Sequence, residues 1–113
     1  MKKKKKKENK FQGELISEIE ARMPECMVLK NDPNFIQGIP DLTILCPVTW
    51  ATLEVKRSID EAEDFRPNQE FYVKKMNEMS YSAVVYPENK EEVLDEIQQT
   101  FTTRRDACLS KRK

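Results

Sequence analysis

A chain of 113 residues, 35% charged and 38% hydrophobic, holds one small domain, and no apolar run in it approaches the ~20 residues that span a bilayer. The absence of histidine excludes the usual nucleophilic triads and the commonest general base, and makes a zinc site unexpected. The formal net charge of zero conceals an asymmetry: residues 1–10 carry +6 and residues 104–113 carry +4, which leaves 8 basic and 18 acidic residues between them, a body at −10.

From the N-terminus, Lys2, Lys3, Lys4, Lys5, Lys6 and Lys7 form a basic run, read as a disordered arm over residues 1–10. It leads into Glu8, Asn9 and Lys10 rather than an apolar stretch, so no secretory signal is expected. Basic arms on an acidic body suit tails that grip a polyanion; a merely solvated charge run is the alternative. Phe11, Leu15, Ile16, Ile19 and Met23 then recur at helical spacing, which predicts an amphipathic helix over residues 11–23, stopped by Pro24. Met27, Val28 and Leu29 predict a first strand, followed by the turn formers Asn31, Asp32, Pro33 and Asn34. Cys26, Cys46 and Cys108 are odd in number and widely spaced, as expected of reduced thiols in a cytoplasmic protein, with Cys46 a small buried hydrophobe.

Residues 38–56 carry the chemistry. Gly38 precedes Ile39, Pro40 and Asp41, a position where a side chain would block a needed conformation or close approach. Leu42, Thr43, Ile44, Leu45 and Cys46 form one strand, Pro47, Val48, Thr49 and Trp50 a break, and Thr52, Leu53, Glu54, Val55 and Lys56 a second strand, together a hairpin. Glu54 and Lys56, two apart, share a face. Asp41, Glu54 and Lys56 thus converge beside an apolar sheet, where a divalent cation is a natural partner; a cross-strand ion pair on a solvated face is the alternative. Trp50 is placed either to stack on a base or to pack over the sheet edge. After an irregular acidic stretch from 58 to 65, Pro67 opens a helix marked by Gln69, Tyr72, Val73, Met76 and Met79. Tyr81, Ser82, Ala83, Val84, Val85 and Tyr86 predict a fourth strand. Asn89 with Glu92 reads as a capping pair for a last helix lined by Val93, Leu94, Ile97 and Phe101, ahead of a basic tail over 102–113 with Arg104 and Arg105.

Pro40-Asp41, a twelve-residue spacer and Glu54-Val55-Lys56 resemble the motif of the PD-(D/E)xK nuclease superfamily. With Gly38-Ile39 before it, Arg57-Ser58 after it and Arg66-Pro67-Asn68-Gln69 downstream, residues 11–101 are similar to small stand-alone VRR-NUC and Holliday-junction-resolvase-like nucleases of phages and prophages. The resemblance implies an α/β fold with a restriction-endonuclease-like αβββαβ core, a mixed sheet flanked by helices and one added C-terminal helix. It implies metal-dependent hydrolysis of DNA phosphodiesters, with branched or junction DNA as substrate, in the cytoplasm of a host cell. Asp41, Glu54 and the carbonyl of Val55 would ligate Mg²⁺ or Mn²⁺, Lys56 would orient water or offset charge on the phosphate, and Gln69 would contact the site. Glu14, with Glu18 as its competitor, would supply the acid that several branches add from the first helix. Lys2 to Lys7, Arg104 and Arg105 would contact DNA, and relatives of the resolvase type are commonly homodimers. Two further readings stand beside this one: a nuclease-like fold that binds nucleic acid or protein without cutting, and an acidic interaction protein in which the motif is chance.

Overall fold

The structure, a computed structural model, describes the backbone of residues 2–62 and 64–112 and the side chains of residues 9–62 and 64–111. It is an α/β domain built on one four-stranded mixed sheet. The elements run α1 (Lys2–Arg22), β1 (Met27–Lys30), β2 (Leu42–Cys46), β3 (Thr49–Val55), α2 (Ile59–Ala62), α3 (Pro67–Met79), β4 (Tyr81–Val85), a single 3-10 turn (Pro87–Asn89) and α4 (Lys90–Arg112). Strand order is β1-β2-β3-β4, antiparallel except that β3 and β4 run parallel, joined through α2 and α3. A parallel pair requires such a crossover, so the strand–helix–strand pattern after the hairpin led to this connection.

The two faces of the sheet differ in chemistry. On one, Leu42, Ile44, Ala51, Leu53, Val55 and Val85 meet Phe11, Leu15, Ile19 and Met23 from the α1 segment and Val93, Leu94, Ile97 and Phe101 of α4. All of these are buried, and truncating any of the central leucines or isoleucines to alanine would cost about 2–5 kcal/mol. The opposite face carries Thr43, Thr52, Glu54 and Ser82, the last three buried. Here α3 lies over β3 and β4: the Thr52 hydroxyl meets Met76 Sδ at 3.3 Å and Ser82 Oγ at 2.8 Å, and Ser82 N–H donates to Asn77 Oδ1 at 3.0 Å. Gln69, Tyr72, Val73 and Met76 form the sheet-facing side of α3, whereas Met79, expected on that stripe, is exposed.

Both outer helices exceed their predicted length. α1 begins at Lys2 rather than at 11, so residues 2–10 of the expected arm have helical backbone, and α4 continues to Arg112 through most of the expected tail. Neither extension contains proline, the residue that most strongly stops a helix. Arg104 then anchors the α4 extension by donating to Thr49 Oγ1 at 3.0 Å and to the hydroxyl and carbonyl of Ser80 at 2.6 and 3.2 Å. The side chains of Lys2 to Lys7 lie outside the described residues.

One further correction concerns the cysteines. Cys26 and Cys46 are joined as a disulfide, not held as separate thiols, because β1 pairs with β2 with Met27 opposite Leu45 and so sets the cysteines side by side. Cys108 is the free cysteine among the described residues. The Asn89 amide, just before α4, accepts from Tyr86 N–H at 2.8 Å and donates to the Val84 carbonyl at 3.0 Å, tying the 3-10 turn back to β4. Among the described residues no helix is long and apolar enough to cross a membrane.

Candidate active site

The site is built at the end of the sheet where β2 begins and β3 ends. The break in the hairpin is a two-residue turn, Pro47-Val48, with Cys46 paired to Thr49, and from there the register runs without interruption to Leu42 opposite Leu53. One rung further on, Asp41 stands across from Glu54. Directly opposed residues of an antiparallel pair hold their Cβ atoms about 4.5–5.5 Å apart, so the two carboxylates share one patch of the polar face. The twelve-residue spacer is therefore a hairpin in continuous register.

Asp41 is held from both sides. Asn31 fixes its backbone: Asn31 N–H donates to the Asp41 carbonyl at 2.9 Å, and Asn31 Nδ2 donates to the Pro40 carbonyl at 2.8 Å and to Thr43 Oγ1 at 2.9 Å. The Asp41 side chain accepts from Val55 N–H at 2.8 Å and so supplies the next rung after the backbone ladder ends. In an extended strand the C=O of a residue lies on the same edge as its N–H, so the Val55 carbonyl is also on the Asp41 side. Asn31 was legible in the sequence only as a turn former; its role depends on a strand pairing that no local pattern reports.

Glu54 is 2% exposed, at the centre of the sheet between β2 and β4. Lys56, just past β3, donates its N–H to the Val85 carbonyl at 2.9 Å and turns its ammonium to Gln69 Oε1 at 3.2 Å. The same Gln69 oxygen accepts from Arg66 N–H at 3.3 Å, closing the first turn of α3. Gln69 thus connects the helix start to the lysine.

Gly38 shows why the loop before Asp41 and the start of α3 fit together. It has φ +90°, and a Cβ placed on it would lie 2.5 Å from Asn68 Cβ and 3.0 Å from the Asn68 carbonyl carbon. Only glycine allows the loop bearing Asp41 to approach so closely the helix bearing Gln69.

The first-helix acids do not join this cluster. Glu14 lines a shallow groove with Phe11, Pro87 and Lys90, on the helix that covers the opposite face of the sheet. Glu18 is committed to an ion pair with Lys90 at 3.2 Å, which raises the Lys90 ammonium pKa above its ordinary value, and lies 4.0 Å from Arg22. Among the described residues no group of three or more acidic or thiol side chains is gathered for a metal, so the site offers two carboxylates, Asp41 and Glu54, together with backbone oxygen. Of the basic residues expected to face DNA, Arg104 is engaged in the fold as described, and Arg105 lies beside Arg22 and Gln98 at a separate cleft. Compared with protein-family models, curated proteins and solved structures, the chain has no match.

Proposed function

We propose that this protein is a metal-dependent nuclease of the PD-(D/E)xK type that hydrolyses DNA phosphodiesters. The observation that carries the reading is the placement of Asp41 opposite Glu54, with Lys56 on the same face and tethered to Gln69. Opposed carboxylates repel, and a bound cation or proton relieves them. The element order, with a helix before the hairpin and a helix crossover to a parallel fourth strand, is the one expected of a restriction-endonuclease-like core.

The donor set suits a hard cation. Mg²⁺ takes one or two carboxylates and completes its shell with water and substrate phosphate, so Asp41, Glu54 and the Val55 carbonyl are an adequate protein share. When bound there, the ion would polarise the phosphoryl oxygen and lower the pKa of a bound water. The chain's own residues do the rest. Asp41, fixed by Asn31 and Val55, and Glu54, fixed by burial, present oxygens in a set geometry. Lys56, held by Gln69, places a positive charge where negative charge develops on the phosphate.

The test is cleavage of four-way junction, flap, duplex and single-stranded DNA by wild type and Glu54→Gln, with Mg²⁺, Mn²⁺ or EDTA. Cleavage that needs the metal and is lost in the variant is expected, together with a rise in melting temperature on adding Mg²⁺ to wild type alone. Cleavage retained by Glu54→Gln would overturn the assignment. One observation favours a second reading, a nuclease-like binding module: Asp41 already has a backbone partner, and no third acid joins the pair among the described residues. That reading predicts DNA binding with no cleavage and no effect of Mg²⁺ on melting.

A further inference from the structure

Residues 24–39, which lead from α1 towards Asp41, contain no buried side chain; the buried residues on either side are Met23 and Pro40. β1 lies in this stretch as the outer strand of the sheet, with Met27 61% and Leu29 41% exposed. A segment that buries so little apolar surface opens locally unless something else holds it. Two fastenings do so, one at each end of the strand. Just before Met27, Cys26 is bonded to Cys46 at the end of β2. Just after Lys30, Asn31 donates its N–H to the Asp41 carbonyl and its Nδ2 to the Pro40 carbonyl and Thr43 Oγ1. The strand between them is four residues long, so what happens at Cys26 is passed directly to the residue that fixes Asp41.

We infer that the Cys26–Cys46 disulfide is a redox-sensitive fastening for Asp41. While the bond is intact, β1 stays docked and Asn31 holds the Asp41 backbone; reduction by a low-molecular-weight thiol frees β1 and loosens the carboxylate. The consequence for cleavage rests on the nuclease reading, whereas the coupling from Cys26 through Asn31 to Asp41 stands apart from it.

The bond is open to such a thiol. Both cysteines are part-exposed, and Cys46 lines a cleft of about 220 Å³ together with Glu25, Gln98, Thr102 and Arg105. A thiolate entering the cleft attacks the Cys46 sulfur, the bond to Cys26 breaks, and Cys26 leaves as a thiolate. A second thiol attacks the mixed disulfide and expels Cys46 in the same way. Each expelled thiolate takes up the proton that an attacking thiol gave up. Two electrons pass to the protein, and the two thiols depart joined as one disulfide.

Native-state hydrogen exchange tests the coupling without DNA or metal. Asn31 N–H, bonded to the Asp41 carbonyl, and Val55 N–H, bonded to Asp41 Oδ2, are the reporters. Lys56 N–H, bonded to the Val85 carbonyl on the other side of β3, is the reference. Chain-entropy scaling for a separation of 20 residues sets the ceiling on the effect at on the order of 100-fold. On reduction with dithiothreitol, exchange at Asn31 and Val55 should quicken within that ceiling and by clearly more than at Lys56. Asn31→Ala with the disulfide intact should quicken Val55 exchange by itself, and reducing that variant should add little. Mg²⁺-dependent cleavage by wild type should fall on reduction and return on reoxidation, and Cys26→Ser/Cys46→Ser should not respond to dithiothreitol. Asn31 and Val55 unchanged on reduction, or quickened only in proportion to Lys56 as by a general loss of stability, would overturn the fastening. Preferential quickening in a protein that cuts no DNA under any metal keeps the fastening and removes the nuclease; metal-dependent cleavage with proportionate exchange does the reverse.

Discussion

Replacing Gly38 by alanine tests whether the Asp41 loop and the start of α3 form one unit. The new Cβ would lie 2.5 Å from Asn68 Cβ, well inside van der Waals contact, and the backbone at φ +90° disfavours any side chain. A left-handed conformation costs an L-residue about 1–2 kcal/mol, and overpacking costs about 1–3 kcal/mol where backbone must shift. The smaller entropy of the unfolded alanine chain returns about 0.4–1 kcal/mol, so a net loss of about 2–4 kcal/mol is expected. At roughly 4 °C per kcal/mol for a domain of this size, the melting temperature should fall by roughly 8–16 °C. Urea denaturation of wild type, Gly38→Ala, Asn68→Gly and the double variant would measure it. Removing Asn68 Cβ relieves the 2.5 Å contact but neither the φ cost nor the contact with the Asn68 carbonyl carbon, so the cycle should show a favourable coupling of about 1–2 kcal/mol. Gly38→Ala within about 0.5 kcal/mol of wild type, or strict additivity, would refute the reasoning.

Three further outcomes follow from the structure. Val48 sits at φ 67° behind Pro47 in the hairpin turn and is half exposed, so Val48→Gly or Val48→Asn should raise stability by about 1 kcal/mol in chemical denaturation. The Cys26–Cys46 disulfide spans 20 residues, and chain-entropy scaling gives it about 3 kcal/mol. Reduction by dithiothreitol, or Cys26→Ser, should therefore lower the denaturation midpoint, and thiol counting on the native protein should find one reactive group, Cys108; three would count against the bridge. Burial, and then the bond to Glu96 at 2.7 Å, push the Tyr81 phenol pKa up from its ordinary value near 10. Folded Tyr81 stays neutral while the unfolded chain ionises, so its contribution is whole below about pH 10 and is lost as pH rises beyond that. Tyr81→Phe should flatten this alkaline loss; an identical pH–stability slope above pH 9 in both proteins would argue against it.

The amino-acid sequence by itself determined the strands, the α3 start at Pro67, the residues of the apolar face and the mixed α/β character. These depend on periods of two and 3.6 residues, which are properties of consecutive side chains. It also determined the candidates Asp41, Glu54, Lys56 and Gln69, and Gly38 as a place for close approach. What only the tertiary structure decided was every relation between partners far apart in the chain. Register across the Pro47-Val48 turn set Asp41 opposite Glu54. β1–β2 pairing brought Cys26 to Cys46, and Lys90, 72 positions from Glu18, claimed the carboxylate that had competed with Glu14. Arg104, read as a tail residue, is an anchor because Ser80 and Thr49 happen to lie beneath it. Helix ends were the other misjudgement, since a run of good helix formers carries no stop signal and packing alone decides how far it extends. Local pattern reports what a segment prefers to be; which side chains then meet is set by the sheet order and register that bring distant segments together.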